Sequence, residues 1–179
     1  MQINLFSIPI WVGNIDCSKI IIEHEQPIQA FGSEIESTHR VNNNITPESL
    51  SYLYKIIEKN IATTIGSSFE IRLDHIWVNY YKGIDFQEGH AHAGSDICFI
   101  IYKKIIESNT VFKNPNNITL GSYYLHKYKM QDIFGGHEFR PECRENQIVI
   151  FPAFLEHYVK KTSNAITIAG NLSINIKGE

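Results

Sequence analysis

The feature that most constrains the fold is the segment AITIAGNLSINIK at residues 165–177, whose side chains alternate in character along the chain. Its even positions are apolar apart from one glycine, and its odd positions are small or polar. Because successive side chains of a β-strand point to opposite faces, this period of two predicts a strand with one apolar face. We expect the polar face, with Thr167 and Asn171, either to be solvated or to line a cavity.

Other segments have the β-branched and aromatic residues that are typical of strands. Residues 71–83 alternate, 96–105 predict a largely buried strand, and 147–152 form a short apolar run that ends in Phe-Pro. Residues 3–12 predict an edge strand or an extended segment, because they contain a proline. A short strand is also expected within the loop-rich part of the chain, at 119–125.

One helix is predicted early in the chain, over about 47–63. Thr46 can cap its N-terminus, Pro47 suits the first helical position, and leucine, tyrosine and isoleucine follow at helical spacing. The polar segment 32–46 before it is expected to be a loop. One helix followed by many strands, without a repeat or a linker, predicts a single mainly β domain over residues 1–179, a sandwich or barrel with a flanking helix.

Composition argues against several functions. A net charge of −3 and a pI of about 6.2 argue against nucleic acid as the main partner. The chain has no apolar run near the roughly 18 residues of a membrane span, and its first residues lack the pattern of a signal peptide. Cys17, Cys98 and Cys143 are odd in number and widely spaced, which indicates free thiols. We therefore expect a cytoplasmic protein without membrane contact; the composition leaves the oligomeric state open.

Two histidines stand one residue apart in EGHAHAGSD, at His90 and His92. Side chains two residues apart in a strand point the same way, so both imidazoles could face inward and share one divalent metal ion. A third ligand must then come from a distant segment. The best candidate is His157, which follows a strand end and a short loop in IFPAFLEHYV. The alternative is that all three are surface histidines in turns.

At these residues the chain resembles the 2-oxoglutarate/Fe(II) oxygenases found in phages and marine bacteria. The resemblance covers about the first dozen residues and 77–173. It rests on a Phe-x-x-Pro-hydrophobic-Trp start, on H-x-H followed by a strand that ends in tyrosine, and on FP-x-x-x-x-H. It implies a double-stranded β-helix, a jelly-roll or cupin-like fold, in which His90, His92 and His157 bind Fe(II). It also implies a hydroxylase that consumes 2-oxoglutarate and acts on a small molecule or peptide, with no catalytic residue beyond the metal ligands.

Two positions depart from the pattern of the wider superfamily. His92 stands where a carboxylate ligand is more usual, so the metal would be held by imidazoles only. Ala165 stands where an arginine usually holds the distal carboxylate of 2-oxoglutarate, and no arginine follows Arg144. Alanine cannot replace a guanidinium that binds a carboxylate through two hydrogen bonds. Either another group holds this carboxylate, or 2-oxoglutarate is not the co-substrate.

Candidates for holding the co-substrate are Tyr102, Lys104, Thr167 and Asn171. Lys104 is proposed because it shares strand parity with Tyr102, and the alternative is that it lies at a solvated strand end. Two other functions stay open. The chain could be a three-histidine dioxygenase of the cupin kind that needs no 2-oxoglutarate. It could also be a non-catalytic metal-binding or structural module that contacts a partner through the segment 106–146.

Overall fold

The computed structural model describes residues 7–30, 35–65, 68–115 and 137–176. These residues form one α-helix, α1 (Pro47–Ile65), and thirteen strands. The strands are β1 (Trp11–Asn14), β2 (Ile22–His24), β3 (Ile28–Gln29), β4 (Glu36–Ser37), β5 (Asn43–Ile45), β6 (Phe69–Tyr81), β7 (Asp85–His90), β8 (Ile97–Lys104), β9 (Thr110–Lys113), β10 (Glu138–Phe139), β11 (Gln147–Pro152), β12 (His157–Thr162) and β13 (Ala165–Ile176).

The strands form two main antiparallel sheets. The major sheet has the order β1-β11-β8-β13-β6-β4-β3, and the minor sheet has the order β10-β9-β12-β7. A separate pair joins β2 to β5. One apolar cluster packs α1 against one face of the major sheet. A second cluster joins the other face of that sheet to Phe112 of the minor sheet. The fold therefore consists of two facing sheets with a helix on one side.

Helix α1 begins where the sequence predicts it, at Pro47, and extends two residues beyond the expected end. The Thr46 side chain accepts a hydrogen bond from the Ser49 backbone N–H at 3.3 Å, so Thr46 caps the helix as expected. Three side chains at a spacing of four residues are fully buried against the major sheet: Leu53, Ile57 and Ile61. No helix in the described parts of the chain combines the length and hydrophobicity that crossing a membrane requires.

Strand β13 lies between β6 and β8 and explains the alternation of its sequence. Its apolar side chains Ile168 and Leu172 belong to the core on the helix side of the major sheet. Its opposite face, with Thr167 and Asn171, lines a cleft on the other side of that sheet. The polar face was expected either to be solvated or to line a cavity, and it lines a cavity. Gly170 leaves room for a core aromatic ring, since a Cβ there would lie 2.5 Å from Cζ of Phe99.

The long predicted strands are found with small shifts at their ends, and the short strands were missed. The segment 32–46, predicted to be a loop, contains β4 and β5, and the described parts of 106–146 contain β9 and β10. Strands of two to four residues are too short to display a period of two. The strand proposed at 119–125 and the beginning of 3–12 lie outside the described residues; β1 forms an edge of the major sheet.

Candidate metal centre

Three histidines from two distant parts of the chain meet at the cleft. Their ligand-capable nitrogens all lie within 4.8 Å of one another: His90, His92 and His157. The ring centroids are 4.4 Å apart for His90 and His157, and 5.3 Å apart for His92 and His157. Within the described residues, this is the one group of His, Cys, Asp and Glu side chains that could hold a metal ion.

The minor sheet positions two of the three rings. His157 at the start of β12 pairs directly with His90 at the end of β7, and facing residues of antiparallel strands have Cβ atoms about 5 Å apart. His92 lies beyond the end of β7, so the expectation that one strand carries both members of H-x-H is wrong for His92. Its backbone N–H instead donates to the carbonyl of Ala153 at 2.9 Å, which ties it to the loop before β12.

Backbone carbonyls orient the rings of the two sheet histidines. Nδ1 of His157 donates to the carbonyl oxygen of Leu155 at 3.0 Å, and Nδ1 of His90 donates to that of Glu88 at 2.8 Å. With Nδ1 protonated, each neutral imidazole presents the lone pair of Nε2 to a metal ion. Such hydrogen bonds typically fix the tautomer and orientation of metal-binding histidines.

Burial keeps two of the imidazoles uncharged. Only 4% of His157 is exposed, and the Phe151 ring lies 4.8 Å from its ring. This burial, followed by repulsion from His90, lowers the pKa of His157 to about 3. The same two causes, in the same order, lower the pKa of His92 to about 4. Because a metal ion binds only the neutral form of imidazole, His92 and His157 can bind one at neutral pH without first losing a proton.

The free energy of unfolding of the metal-free chain is expected to fall as the pH drops below 6.5. His157 titrates near 6.5 when unfolded and at about 3 when folded, so between these values the unfolded state binds the extra proton. Each pH unit in this window should therefore lower the free energy of unfolding by roughly 1.4 kcal/mol through this side chain. Urea unfolding with a chelator at pH 7, 6 and 5 measures the slope. A His157→Leu variant should lose that contribution, and an unchanged slope in the variant would contradict the prediction.

A narrow cleft opens beside the three histidines. Three of the side chains that the sequence proposes for the co-substrate line this cleft: Tyr102, Thr167 and Asn171. Lys104 does not line it; the side chain is exposed, with Nζ 2.6 Å from Oδ1 of Asn164. A bulge between Ile166 and Thr167 shifts the pairing of β13 with β8 at that point. Lys104 therefore lies outside the cleft, although it is two residues from Tyr102 on the same strand.

The sequence interpretation missed two hydroxyl partners of Tyr102, of which Thr110 lines the cleft. Ser108 Oγ donates to the Tyr102 hydroxyl at 3.1 Å, and that hydroxyl donates to Oγ1 of Thr110 at 3.0 Å. All three side chains are buried, and burial raises the pKa of Tyr102 to about 12, so its hydroxyl stays protonated. Ser108 and Thr110 lie just before and at the start of the short strand β9. No pattern in the sequence marks them, because their partner is brought to them only by the fold.

Trp77 is a buried residue that borders the cleft. Its ring is 3% exposed and lies 5.9 Å from the ring of His92. Its Nε1 is buried and has no hydrogen-bond partner among the described residues. A buried donor without a partner is costly unless a ligand or water accepts from it. Trp77 is thus a core residue whose side chain also borders the cleft.

The donor set fits a divalent transition metal. Neutral imidazole is a good ligand for iron, zinc, nickel and copper, and the hydrogen bonds made by Nδ1 of His90 and His157 leave Nε2 of both rings available. Three protein ligands on one side of an ion leave further coordination positions for small molecules, as catalytic metal sites require. The residues present therefore could bind Fe(II).

Solved structures match the chain. No known family model and no curated protein matches it. One is a 2OG-Fe(II) oxygenase family oxidoreductase from Burkholderia pseudomallei, with TM-score 0.57, 11% identity, and coverage of 84% of this chain and 73% of that one. The chain has the fold of the 2-oxoglutarate/Fe(II) oxygenases. The viral collagen prolyl hydroxylase of Paramecium Bursaria Chlorella virus-1, solved with 2OG, matches with TM-score 0.50, 10% identity and 80% of each chain.

A third structure with the oxygenase fold is the non-heme alpha ketoglutarate dependent epimerase SnoN from nogalamycin biosynthesis. It matches with TM-score 0.52 and 10% identity over 84% of this chain and 65% of that one. The double-stranded β-helix implied by the sequence resemblance is therefore confirmed. The three histidines fit the H-x-H…H pattern on which that resemblance depends.

Proposed function

We propose that the protein is a non-haem Fe(II) oxygenase that uses 2-oxoglutarate to hydroxylate a small molecule or a peptide. The observation that carries this proposal is the convergence of three histidines at a cleft, with nitrogens within 4.8 Å of one another. In this fold, such a cluster at the side of a cleft is the arrangement that metal-dependent oxidation requires.

His90, His92 and His157 are the proposed iron ligands. With 2-oxoglutarate bound, the iron would supply the activation of dioxygen. Overall, one oxygen atom would enter the substrate as a hydroxyl group and the other would enter succinate, with release of carbon dioxide. The chain holds the ion through neutral rings whose orientation is set by backbone carbonyls. Phe112 and Phe151 cover the buried face of His157 and keep water from that side.

The proposed co-substrate residues are Tyr102, Thr167 and Asn171, which line the cleft with the three histidines. Two proteins with this fold are linked to 2-oxoglutarate by their descriptions: a viral collagen prolyl hydroxylase solved with 2OG and an alpha ketoglutarate dependent epimerase. They support the use of 2-oxoglutarate and a small-molecule or peptide substrate. We also propose a cytoplasmic location, a single domain and no nucleic-acid partner, in keeping with the net charge of −3.

Release of labelled carbon dioxide from 1-carbon-labelled 2-oxoglutarate tests the proposal. The full chain is loaded anaerobically with Fe(II) and then exposed to oxygen, with zinc-loaded chain as the control that binds but cannot turn over. We expect release that depends on Fe(II) and is lost in His157→Ala. A correctly folded, iron-loaded chain that neither binds 2-oxoglutarate nor releases carbon dioxide would refute the proposal.

A second candidate is a three-histidine dioxygenase that needs no 2-oxoglutarate. It is favoured by the two departures from the superfamily pattern, His92 in place of a carboxylate and Ala165 in place of the arginine. Oxygen uptake separates the two candidates. Uptake on a panel of small organic acids and phenols without any 2-oxoacid would support the second candidate, whereas uptake that requires a 2-oxoacid supports the first.

A further inference from the structure

The position at which an arginine is expected for 2-oxoglutarate lies in apolar surroundings. Ala165 is 4% exposed. It belongs to a small buried cluster of mostly apolar side chains: Ala30, Ile35, Tyr81 and Val159. Burial of a cation in such surroundings is unfavourable unless an anion pairs with it.

The described lining of the cleft carries no cationic side chain. Among the described side chains that line it, none is Lys or Arg, and the one carboxylate is that of Glu107. Glu107 is 63% exposed in its side chain and pairs with Arg140 at 3.5 Å, which places both at the rim. Deeper in the cleft, polar contacts are made by hydroxyls and amides such as Thr167 and Asn79, whose side chains are 3.5 Å apart.

The hydroxyl chain of Ser108, Tyr102 and Thr110 retains a hydrogen to donate. The three hydroxyl groups carry one hydrogen each, and those of Ser108 and Tyr102 form the two hydrogen bonds between them. The hydrogen of the Thr110 hydroxyl is therefore left for a further acceptor. Thr110 lines the cleft and pairs across the minor sheet with Val159, two residues from His157. Two strand residues span about 6.6 Å, a distance that the carbon chain of a short 2-oxoacid can bridge.

We propose that this site binds the far end of its 2-oxoacid through the neutral hydroxyl of Thr110, which the hydroxyls of Tyr102 and Ser108 orient, and that it accepts 2-oxoacids with uncharged polar tails about as well as 2-oxoglutarate. The inference rests on the proposed function. A carboxylate that is buried without a cation loses hydration that neutral donors replace only in part. An ester or amide tail accepts the same hydrogen bond and loses less hydration.

Binding to the zinc-loaded full chain tests this without turnover, because zinc is not redox-active. Titration calorimetry would compare 2-oxoglutarate, its 5-methyl ester and 2-oxopentanoate, whose tail has no acceptor. We expect the acid and the ester to bind within about tenfold of each other, and 2-oxopentanoate to bind about tenfold more weakly than the ester. A preference above about a hundredfold for the acid over the ester would overturn the inference.

Variants identify the groups responsible. Thr110→Val keeps the shape of the side chain and should make the ester bind no better than 2-oxopentanoate; Thr110→Ala serves the same purpose if the first variant unfolds. Tyr158→Phe, which removes a surface hydroxyl bonded to Glu138, is the matched control and should change nothing. Arg140→Gln should also leave all three affinities unchanged. Selective loss of 2-oxoglutarate binding in Arg140→Gln would show that a rim cation holds the carboxylate and would overturn the inference.

Failure of the inference is distinguishable from failure of the proposed function. If the zinc-loaded chain binds none of the three 2-oxoacids, both are wrong. If 2-oxoglutarate binds and is decarboxylated in the iron-loaded chain while the ester is rejected, the proposed function stands and only the neutral recognition of the tail is wrong.

Discussion

Replacement of His157 by alanine is expected to abolish stoichiometric metal binding. His157 contributes one of three nitrogens that lie within 4.8 Å of one another, and it is the most deeply buried of the three side chains. Changes to residues that merely support a ligand typically weaken metal binding by 10- to 100-fold, so loss of a ligand should cost at least about 100-fold. Iron-dependent turnover should be lost with it.

Zinc affinity, measured by competition with a chromophoric chelator, checks this result, and circular dichroism establishes that the variant is folded. The matched control is His24→Ala, because His24 is hydrogen-bonded to Tyr80 at 2.9 Å and lies outside the group of three. The control should bind zinc as the parent chain does. Undiminished zinc affinity in folded His157→Ala would remove His157 from the site and with it the basis of the proposed function.

Long regular elements could be predicted from the sequence. Strand β13 and helix α1 are long enough for their periods of 2 and 3.6 residues to be visible, and each buries the face that its pattern predicts. The grouping of His90, His92 and His157 was also predictable, because a strand end, a short loop and a strand start bring His157 beside β7. That prediction depended on the family resemblance as much as on spacing.

The parts that could not be predicted depend on contacts between distant residues. His92 is positioned by the Ala153 carbonyl rather than by strand alternation. Lys104 is turned away from the cleft by a bulge that forms only when β13 pairs with β8. Thr110 becomes a cleft residue because β9 pairs with β12 and the Thr110 hydroxyl meets that of Tyr102. Polar residues in a loop-rich segment give no sequence signal for such contacts.

Replacement of Phe151 by alanine is expected to lower the free energy of unfolding by about 3 to 5 kcal/mol, the usual range when a buried phenylalanine is truncated. Phe151 is 1% exposed, and its ring lies 4.8 Å from the rings of both Phe112 and His157. The matched control is Phe154→Ala three residues along, where the same change removes a ring that is 64% exposed. The control should cost no more than about 0.5 kcal/mol.

Zinc then separates a role in packing from a role in positioning His157. A metal ion that binds only the folded state raises the free energy of unfolding in proportion to the logarithm of its affinity. If the Phe151 ring holds the His157 imidazole in place, zinc should stabilise Phe151→Ala by about 1.4 kcal/mol less than it stabilises the parent chain, which corresponds to a tenfold weaker affinity. Urea unfolding with and without zinc measures both increments. Equal increments in the two chains would mean that Phe151 supports the fold and that His157 is held in place by its hydrogen bond to Leu155.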